Sequence, residues 1–272
     1  MIVKMEHLEG RLSVLAALRA RRRKINTILL SSGIHETKLR ELLDAAAELS
    51  VPVQRVERGR LDALAHGATH GGVIAICSGR ELTTERRLLE LLDAIPSPLM
   101  LLLEGIDDAR NLGFVLRSAE AMGAHAVLIK KHLGALDSVE IARPSSGAYE
   151  RLEIVQVEGT KLLAELLRRG VRLVAAIAAA RRTIGQIDLT QPTLLCIGGE
   201  KRGLSAAVRD LCDTRASIPI AKAATSLSLS HAAAMVLYEA ARQRSPAPSN
   251  DAIAPGPDIA DEGLDEDAEM EG

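Results

Sequence analysis

Three segments of the sequence place polar side chains or glycines directly after apolar, strand-like runs. Their sequences are DDARNLGFVLRSAEAMG, LCIGGEKRGLS and SIPIAKAATSLSLSHAAAM. They supply an amide, a guanidinium, a carboxylate and several hydroxyls, while glycines let the backbone approach a ligand closely. Helices that begin here also leave unpaired backbone N–H groups. Because open α/β sheets bind ligands at the carboxyl ends of their strands, the segments together predict one site there.

Each segment taken alone also has a purely structural explanation. Asn111 can cap a helix, Arg117 can lie on an exposed turn, and serines ahead of a helix are common caps. Glycines after a strand usually form only a turn. The sequence contains neither G-x-G-x-x-G nor G-x-x-x-x-G-K-[ST], which argues against a dinucleotide or nucleoside-triphosphate site.

The elements that must position these side chains alternate between strand and helix patterns. Strands are predicted at LMLLLEGI, HAVLIK, RLVAAIAA, TLLCIGG and ASIPI. Helices are predicted at NLGFVLRSAEAMG, KLLAELLRRG and SAAVRDLC, and from about Ser230 to Arg244. This alternation predicts an α/β fold with a mostly parallel sheet that is covered on both faces.

A smaller α/β unit precedes this one. Helices at RLSVLAALRA and ETKLRELLDAAAELS alternate with strands at INTILLSSG, VPVQRV and GVIAICS. We predict a first domain over 1–78, a connector with a helix over 79–97, and a second domain over 98–245. Residues 246–272 are rich in Pro and Gly and then acidic, which predicts a disordered tail.

Charge is distributed unevenly along the chain. Nine of the 36 acidic residues lie within 245–272, so the rest carries 34 basic against 27 acidic residues, a net charge of about +7. The clusters RARRRK (19–24) and ERGR (57–60) concentrate basic charge in the first third. Clustered Lys and Arg are typical of phosphate-binding surfaces, so an RNA-facing surface is one interpretation. A solvated protein face is the other.

Cysteine usage and hydropathy bear on the compartment. Cys77, Cys196 and Cys212 are widely spaced and form no C-x-x-C pair, which argues for a reducing compartment and against a disulfide framework or a zinc cluster. No apolar run approaches the roughly 18–20 residues that span a bilayer. We therefore predict a cytoplasmic protein with no metal and no membrane partner.

In this order, the three segments resemble the three motifs of the SpoU family of RNA 2′-O-ribose methyltransferases, within the SPOUT class. The matches are N-L-G-x-x-x-R at 111–117, G-x-E-x-x-G-L at 198–204, and I-P followed by S-L-x-x-S at 218–230. SSGA at 145–148 resembles a further segment of the family. The stretches LEGRLSVLAAL and THGGVIAI are similar to the substrate-binding domain of bacterial 23S rRNA and tRNA guanosine 2′-O-methyltransferases. The resemblance covers roughly 7–244.

The resemblance implies a second domain with a trefoil knot, a homodimer, and S-adenosylmethionine as the methyl donor. It implies cofactor binding by Gly198, Gly199, Glu200, Gly203, Ile218 and Leu227. It implies catalytic roles for Asn111, Arg117, Glu200, Ser226 and Ser228. Arg117 either acts on the ribose 2′-hydroxyl under the influence of a substrate phosphate or grips that phosphate bidentately.

Four positions depart from the family pattern. Ser228 stands where the family has asparagine, Ile220 replaces methionine, Gly71 replaces glutamine, and His231 replaces a small apolar residue. Serine offers one short hydroxyl where asparagine offers a donor and an acceptor on a longer arm. Since a missing positioning contact can lower a rate without affecting the fold, this change bears on catalysis. His231 either compensates for it or packs near the helix start.

The favoured hypothesis is S-adenosylmethionine-dependent 2′-O-methylation of RNA, most specifically of a guanosine in 23S rRNA. One alternative is a catalytically impaired paralogue that binds RNA or the ribosome. A second alternative is methylation of tRNA by the same chemistry.

Overall fold

The protein folds into two α/β units, each built on its own sheet. The computed structural model describes residues 5–66, 70–130, 136–221 and 226–245. A four-stranded sheet lies in the N-terminal unit and a six-stranded sheet in the C-terminal unit. The predicted α/β class with a smaller unit ahead of a larger one is confirmed. The trefoil knot stays a prediction, and the predicted acidic tail lies outside the described residues.

The N-terminal sheet is mixed and has the order β1-β4-β2-β3. β4 runs antiparallel to both of its neighbours, whereas β2 and β3 are parallel. The strands are β1 (Met5–Glu9), β2 (Ile25–Ser31), β3 (Val53–Val56) and β4 (Val73–Ser78), and the helices are α1 (Arg11–Ala20), α2 (Arg40–Glu48) and α3 (Arg58–Asp62). β1 was not predicted, because MEHLE has little apolar alternation. It forms by pairing along the edge of β4.

The C-terminal sheet is parallel throughout and has the order β10-β8-β9-β5-β6-β7. Its strands are β5 (Leu99–Glu104), β6 (Ala126–Lys130), β7 (Glu153–Gln156), β8 (Arg172–Ala176), β9 (Thr193–Gly198) and β10 (Thr214–Ala216). The helices are α4 (Glu85–Leu92), α5 (Ala109–Ala121), α6 (Ser138–Ala142), α7 (Ala148–Arg151), α8 (Lys161–Arg168), α9 (Ala206–Arg209) and α10 (Leu229–Arg244). Short 3-10 helices lie at Glu36–Lys38 and Ile184–Gln186.

Both faces of this parallel sheet are buried, as predicted. Alternate residues of β5 point to opposite sides, so Leu101 packs in the cluster that includes α5 and α10. Leu102 packs in the other cluster, which includes residues of α4 and α8. Buried parallel strands are therefore apolar along their whole length, and only their last residues are free to be polar.

Several predicted elements have other bounds in the structure. The helix predicted at ETKLRELLDAAAELS divides into the 3-10 helix Glu36–Lys38 and α2, and the strand predicted at RLVAAIAA ends at Ala176. The helix predicted at SAAVRDLC ends at Arg209, because Leu211 and Cys212 donate to carbonyls only three residues back. The strand predicted at ASIPI is instead Thr214–Ala216. After it the backbone leaves β8, since Ser217 pairs with the segment at Arg182 and Ile184.

The two units meet at a junction of charged residues, which we call the domain junction: Arg22, Arg23, Arg80, Tyr149, Glu150 and Glu153. Arg23 Nε donates to both carboxylate oxygens of Glu150 at 3.0 Å, and both side chains are fully buried. Arg22 pairs with Glu153. The guanidinium groups of Arg23 and Arg80 lie 5.7 and 5.2 Å from the centre of the Tyr149 ring.

This junction corrects the interpretation of RARRRK as an RNA-facing surface. Arg23 is buried and Arg22 is half-buried, so the prediction is wrong for these two residues. Burial alone disfavours the charge of Arg23, but the Glu150 carboxylate outweighs that effect and raises the pKa of the guanidinium. Arg21 and Lys24 of the same cluster are exposed.

The described part of the chain contains no helix long and apolar enough to cross a membrane. Cys77, Cys196 and Cys212 are free and buried.

Candidate active site

Two adjoining cavities lie at the carboxyl edge of the parallel sheet. The first cavity has a volume of about 730 Å³ and the second about 190 Å³. Gly199, Glu200 and Leu229 belong to the walls of both. Together the cavities provide a volume typical of small-molecule sites, roughly 300–1,000 Å³. Glu200 and Leu229 therefore separate two compartments of one composite site.

The glycine loop, residues 198–204, forms a wall of both cavities. It turns back tightly, with Gly203 N donating to Gly199 O at 2.8 Å and Gly203 at φ +61°. A Cβ on Gly198 would lie 2.0 Å from the Gly203 carbonyl carbon, and one on Gly199 would lie 2.4 Å from Gly105 O. Side chains at these positions would collide with backbone, so glycine is required for this loop shape.

Asn111 lies in the first turn of α5 and lines the first cavity. The helix cap is Asp108, whose Oδ1 accepts from Asn111 N at 2.7 Å. The alternative in which Asn111 itself caps the helix is therefore wrong. Its side-chain Oδ1 accepts a hydrogen bond from Ser230 Oγ at 3.4 Å. Because the carbonyl oxygen of Asn111 accepts from Ser230, the side-chain amide nitrogen is the group that can donate to a ligand in the first cavity.

The serines sit where α10 begins, and they connect to Asn111. Ser228 is the N-cap, accepting from His231 N at 3.4 Å. Its Oγ also lies 2.5 Å from His231 Nδ1 and 3.1 Å from Ser230 Oγ. These distances fit one chain of hydrogen bonds: His231 Nδ1–H donates to Ser228 Oγ, Ser228 donates to Ser230 Oγ, and Ser230 donates to Asn111 Oδ1. The two departures Ser228 and His231 are thus hydrogen-bonded to each other.

Glu200 ties the glycine loop to the same helix. Its Oε1 accepts from Leu229 N at 3.2 Å, which satisfies one of the unpaired N–H groups at the start of α10. The loop and the helix start are therefore linked by a carboxylate that faces both cavities.

A charged group that the sequence analysis missed closes one side of the first cavity. Glu104 Oε1 and Lys130 Nζ lie 2.7 Å apart, and Glu104 Oε2 accepts from Ser205 N at 2.7 Å. Partial burial opposes ionisation of Glu104, but the hydrogen bonds from Lys130 and Ser205 outweigh it and hold the pKa of the carboxyl below its usual value.

A sequence signal for this group existed. Glu104 and Lys130 are the last residues of β5 and β6, and each ends an otherwise apolar strand. In the parallel register the two residues pair directly. A charged residue of opposite sign at the end of each of two consecutive buried strands predicts such a contact, provided that the strands are neighbours.

The predicted site residues separate into two groups by location. The second cavity brings together Gly198, Gly199, Glu200, Ile218, Ser226 and Leu227. The first cavity contains Asn111, Gly199, Glu200 and Gly203. Ser228 reaches Asn111 through Ser230. Arg117 is exposed on α5, and the walls of the two cavities do not include it.

The residues of the second cavity suit S-adenosylmethionine. Its walls combine apolar side chains such as Ile177, Ile218 and Leu227 with the glycine-loop backbone. Apolar faces accommodate an adenine ring, and backbone groups at close range accommodate polar edges. In the described residues, no group of three or more His, Cys, Asp or Glu side chains could hold a metal ion.

Comparison with known proteins places this geometry in a family. Residues 98–238 match the SpoU rRNA Methylase family, and residues 7–83 match the family described as RNA 2′-O ribose methyltransferase substrate binding. The chain belongs to the SpoU rRNA methylase family. The predicted family is confirmed, and with it S-adenosylmethionine as the cofactor and RNA 2′-O-methylation as the enzymatic activity.

Relatives of this SpoU protein match it along nearly its whole length. It is 36% identical to the 23S rRNA (guanosine-2′-O-)-methyltransferase RlmB of Pseudomonas putida, covering 88% of this chain and 97% of the relative. A crystal structure of an RNA 2′-O ribose methyltransferase matches with a TM-score of 0.71 at 27% identity, covering 89% of this chain and 90% of the other. The SpoU methyltransferase AviRb of Streptomyces viridochromogenes, in complex with AdoMet, matches with a TM-score of 0.69 at 28% identity, covering 88% and 90%.

Proposed function

We propose that this protein methylates the ribose 2′-oxygen of a guanosine in 23S rRNA, in the cytoplasm. The proposal depends mainly on one observation: two adjoining cavities meet at Glu200, and their walls together contain residues of all three motifs. Similarity to a named 23S rRNA guanosine methyltransferase over 88% of the chain supports the choice of RNA and nucleotide. The domain limits 1–78, 79–97 and 98–245 belong to the proposal, supported by family matches at 7–83 and 98–238.

We assign the second cavity to the cofactor and the first to the target nucleotide. S-adenosylmethionine supplies a methyl group on a sulfonium. The backbone of Gly198, Gly199 and Leu227, with Ile218 beside it, would hold the cofactor; Gly203 keeps the loop turned and Ser226 lines the same wall. This division leaves the boundary at Glu200 and Leu229 as the place where the two reactants meet.

The first cavity orients the ribose in this proposal. Asn111 directs its amide toward the nucleotide, because Ser230 holds the carbonyl oxygen. Ser228 supports Ser230, and Glu200 fixes the loop against α10. Positioning of this kind aligns the 2′-oxygen for in-line attack and lowers the barrier without a covalent bond between the enzyme and the RNA.

Arg117 fits the phosphate-gripping role better than a role inside the cavity. It is exposed on α5, and an arginine stays protonated in proteins, which makes it a poor base. A planar guanidinium binds a phosphate bidentately at the surface, so Arg117 would hold the RNA backbone beside the cavity.

The active form we propose is a homodimer formed through α5 and α10. These two helices pack on each other and carry exposed apolar side chains: Phe114 (51% exposed), Met235 (43%) and Tyr238 (58%). Exposed apolar residues grouped on packed helices are typical of an interface. Sedimentation of the full chain should give a dimer at micromolar concentration, and Tyr238→Glu should shift it toward monomer. A wild-type monomer would contradict this part of the proposal.

Methyl transfer to purified RNA tests the function. The protein is incubated with S-adenosylmethionine labelled at the methyl group and with unmodified 23S rRNA or tRNA, and 2′-O-methyl positions are then mapped. We expect label at a single guanosine of 23S rRNA. Label in tRNA alone would mean that the substrate is tRNA and not 23S rRNA. Cofactor binding without transfer to either RNA would favour the impaired RNA-binding paralogue.

A further inference from the structure

The glycine loop is clamped to the sheet by Glu104 and Lys130, two charged residues that lie outside the three motif segments. Glu104 accepts from Ser205 N at 2.7 Å, immediately after the loop, and from Lys130 Nζ at 2.7 Å. Lys130 Nζ also lies 3.4 Å from Ser205 Oγ. The Glu104 and Lys130 side chains are only 13% and 18% exposed. Strands β5 and β6 are thereby joined to the residue that follows the loop.

The other end of the loop is fixed by close packing of backbone. Gly199 lies against Gly105, the residue after Glu104, with no room for a Cβ on Gly199. Ser205 in turn caps α9, since its Oγ accepts from Val208 N at 3.3 Å. The loop is therefore held at its start by glycine packing and at its end by a charge-assisted hydrogen bond.

Charge and burial both strengthen the second of these contacts, the hydrogen bond from Ser205 N to Glu104. Hydrogen bonds to an ionised carboxylate are shorter and stronger than neutral ones. Both Glu104 oxygens are used, one toward each partner, so the carboxylate is oriented by the lysine for the Ser205 amide. The lowered pKa of Glu104 keeps it ionised at neutral pH.

We propose that Glu104 and Lys130 are positioning residues that hold the glycine loop in its cofactor-binding shape. The inference rests on the proposed function, because it takes the loop to bind S-adenosylmethionine. A loop that reaches its binding shape only part of the time lowers the apparent affinity by that fraction. Loss of the clamp should therefore weaken cofactor binding and raise KM for the cofactor, while kcat at saturation changes little.

Three variants of the full chain test this. Glu104→Ala removes both contacts, whereas Glu104→Gln keeps an acceptor for Ser205 N–H and removes the charge. Glu165→Ala is the matched control, since Glu165 lies on α8, pairs with Arg169 at 2.8 Å and lies outside both cavity walls. Calorimetry with S-adenosylmethionine should show Kd raised about tenfold in Glu104→Ala, less in Glu104→Gln, and unchanged in the control.

Hydrogen exchange of the cofactor-free protein gives a readout that does not depend on the function. The peptide containing Ser205 should exchange faster in Glu104→Ala than in wild type and at the wild-type rate in Glu165→Ala. A folded Glu104→Ala variant with wild-type Kd and wild-type exchange overturns the inference and leaves the proposed function standing. Absence of cofactor binding in wild type would instead overturn the proposed function.

If Glu104→Ala fails to fold, Glu104→Gln decides. Weaker cofactor binding is then judged by the Kd of Glu104→Gln relative to wild type, and loosening of the loop by hydrogen exchange at Ser205. A raised Kd with faster exchange supports the clamp, and wild-type values of both overturn it.

Discussion

The domain junction and the carboxyl edge of the parallel sheet both pair carboxylates with basic side chains, but they differ in what surrounds the charges. At the junction, Arg23 and Glu150 are fully buried against each other, with a tyrosine ring beside them. At the edge, Glu104 and Lys130 are partly exposed and line a cavity of about 730 Å³. The first group can only stabilise the fold, whereas the second can act on a ligand.

This difference shows why a cluster of charge in a sequence does not identify its own role. RARRRK has the composition of a phosphate-binding surface, yet two of its arginines hold the units together. Glu104 and Lys130 are each the only charged residue of their strand, yet they reach the candidate site. Burial and neighbouring strands decide between the two roles, and neither is visible in local composition.

Breaking the junction should give the largest effect. Arg23→Met leaves the Glu150 carboxylate buried and unpaired, so we expect a loss of about 3–5 kcal/mol in the free energy of unfolding. Urea denaturation of the full chain measures it. The double variant Arg23→Met, Glu150→Leu should recover much of that loss, because it also removes the carboxylate that the single variant leaves unpaired. Equal stability of wild type and Arg23→Met would show that the junction carries no energy.

Arg117→Ala tests a charged residue whose expected role is in function and not in stability, in contrast to Arg23. Because Arg117 is exposed and outside both cavities, we expect unchanged stability and cofactor Kd, with methyl transfer reduced about a hundredfold or more. Calorimetry and transfer of labelled methyl groups measure the two effects. Arg86→Ala is the control, because Arg86 is an exposed arginine of α4 that pairs with Glu90 and lies in neither basic cluster. Transfer at the wild-type rate in Arg117→Ala would remove this residue from the mechanism.

Much of the fold could be predicted because its strands are apolar and regularly spaced. β5 and β9 read as buried strands, and the motif residues after them lie at one edge, as parallel pairing requires. β1 and β7 were not predicted, since their few apolar residues become buried only through tertiary packing. The strand at ASIPI was misplaced because pairing to β8 ends at Ala216.

The candidate site was predictable to the extent that its members are motif residues. The link from Ser228 through Ser230 to Asn111 joins residues more than a hundred positions apart, so no local pattern contains it. Predicting the contacts of Glu104 likewise requires knowing that β5 and β6 are neighbours and that Ser205 lies next to the ends of these strands.

Acid should lower the stabilisation from both charged regions, the domain junction and the Glu104–Lys130 pair. A variant at Glu104 distinguishes the contribution of the second region from that of the first. The folded pKa of Glu104 lies below the ordinary 4.5, so its stabilisation is fully present above pH 4.5 and is lost as pH falls through the folded pKa. Glu153 behaves in the same direction at the junction, beside Arg22. Between about pH 6 and about pH 3, Glu104→Gln should lose less unfolding free energy than wild type. Identical pH dependence in urea denaturation would contradict a paired Glu104.

Ser228→Asn should have the smallest effect, and it decides whether the departure at this position matters. Asparagine caps helices about as well as serine, so stability should stay within about 0.5 kcal/mol. Its amide can donate to Ser230 and so preserve the support of Asn111, which predicts a methyl-transfer rate equal to wild type or raised a few-fold.

Ser228→Ala is the matched control for that substitution. It removes the cap and breaks the hydrogen-bond path from His231 to Asn111, so it should cost about 1 kcal/mol of stability and slow transfer by more than the asparagine variant does. The rates are compared at saturating cofactor, where the glycine loop contributes least. A rise of about a hundredfold in Ser228→Asn would mean that the wild-type protein lacks a positioning contact that an asparagine at this position supplies. The molecule would then be an impaired enzyme, with the fold and the cofactor cavity retained, because the path through Ser228 and His231 would not have replaced the missing amide.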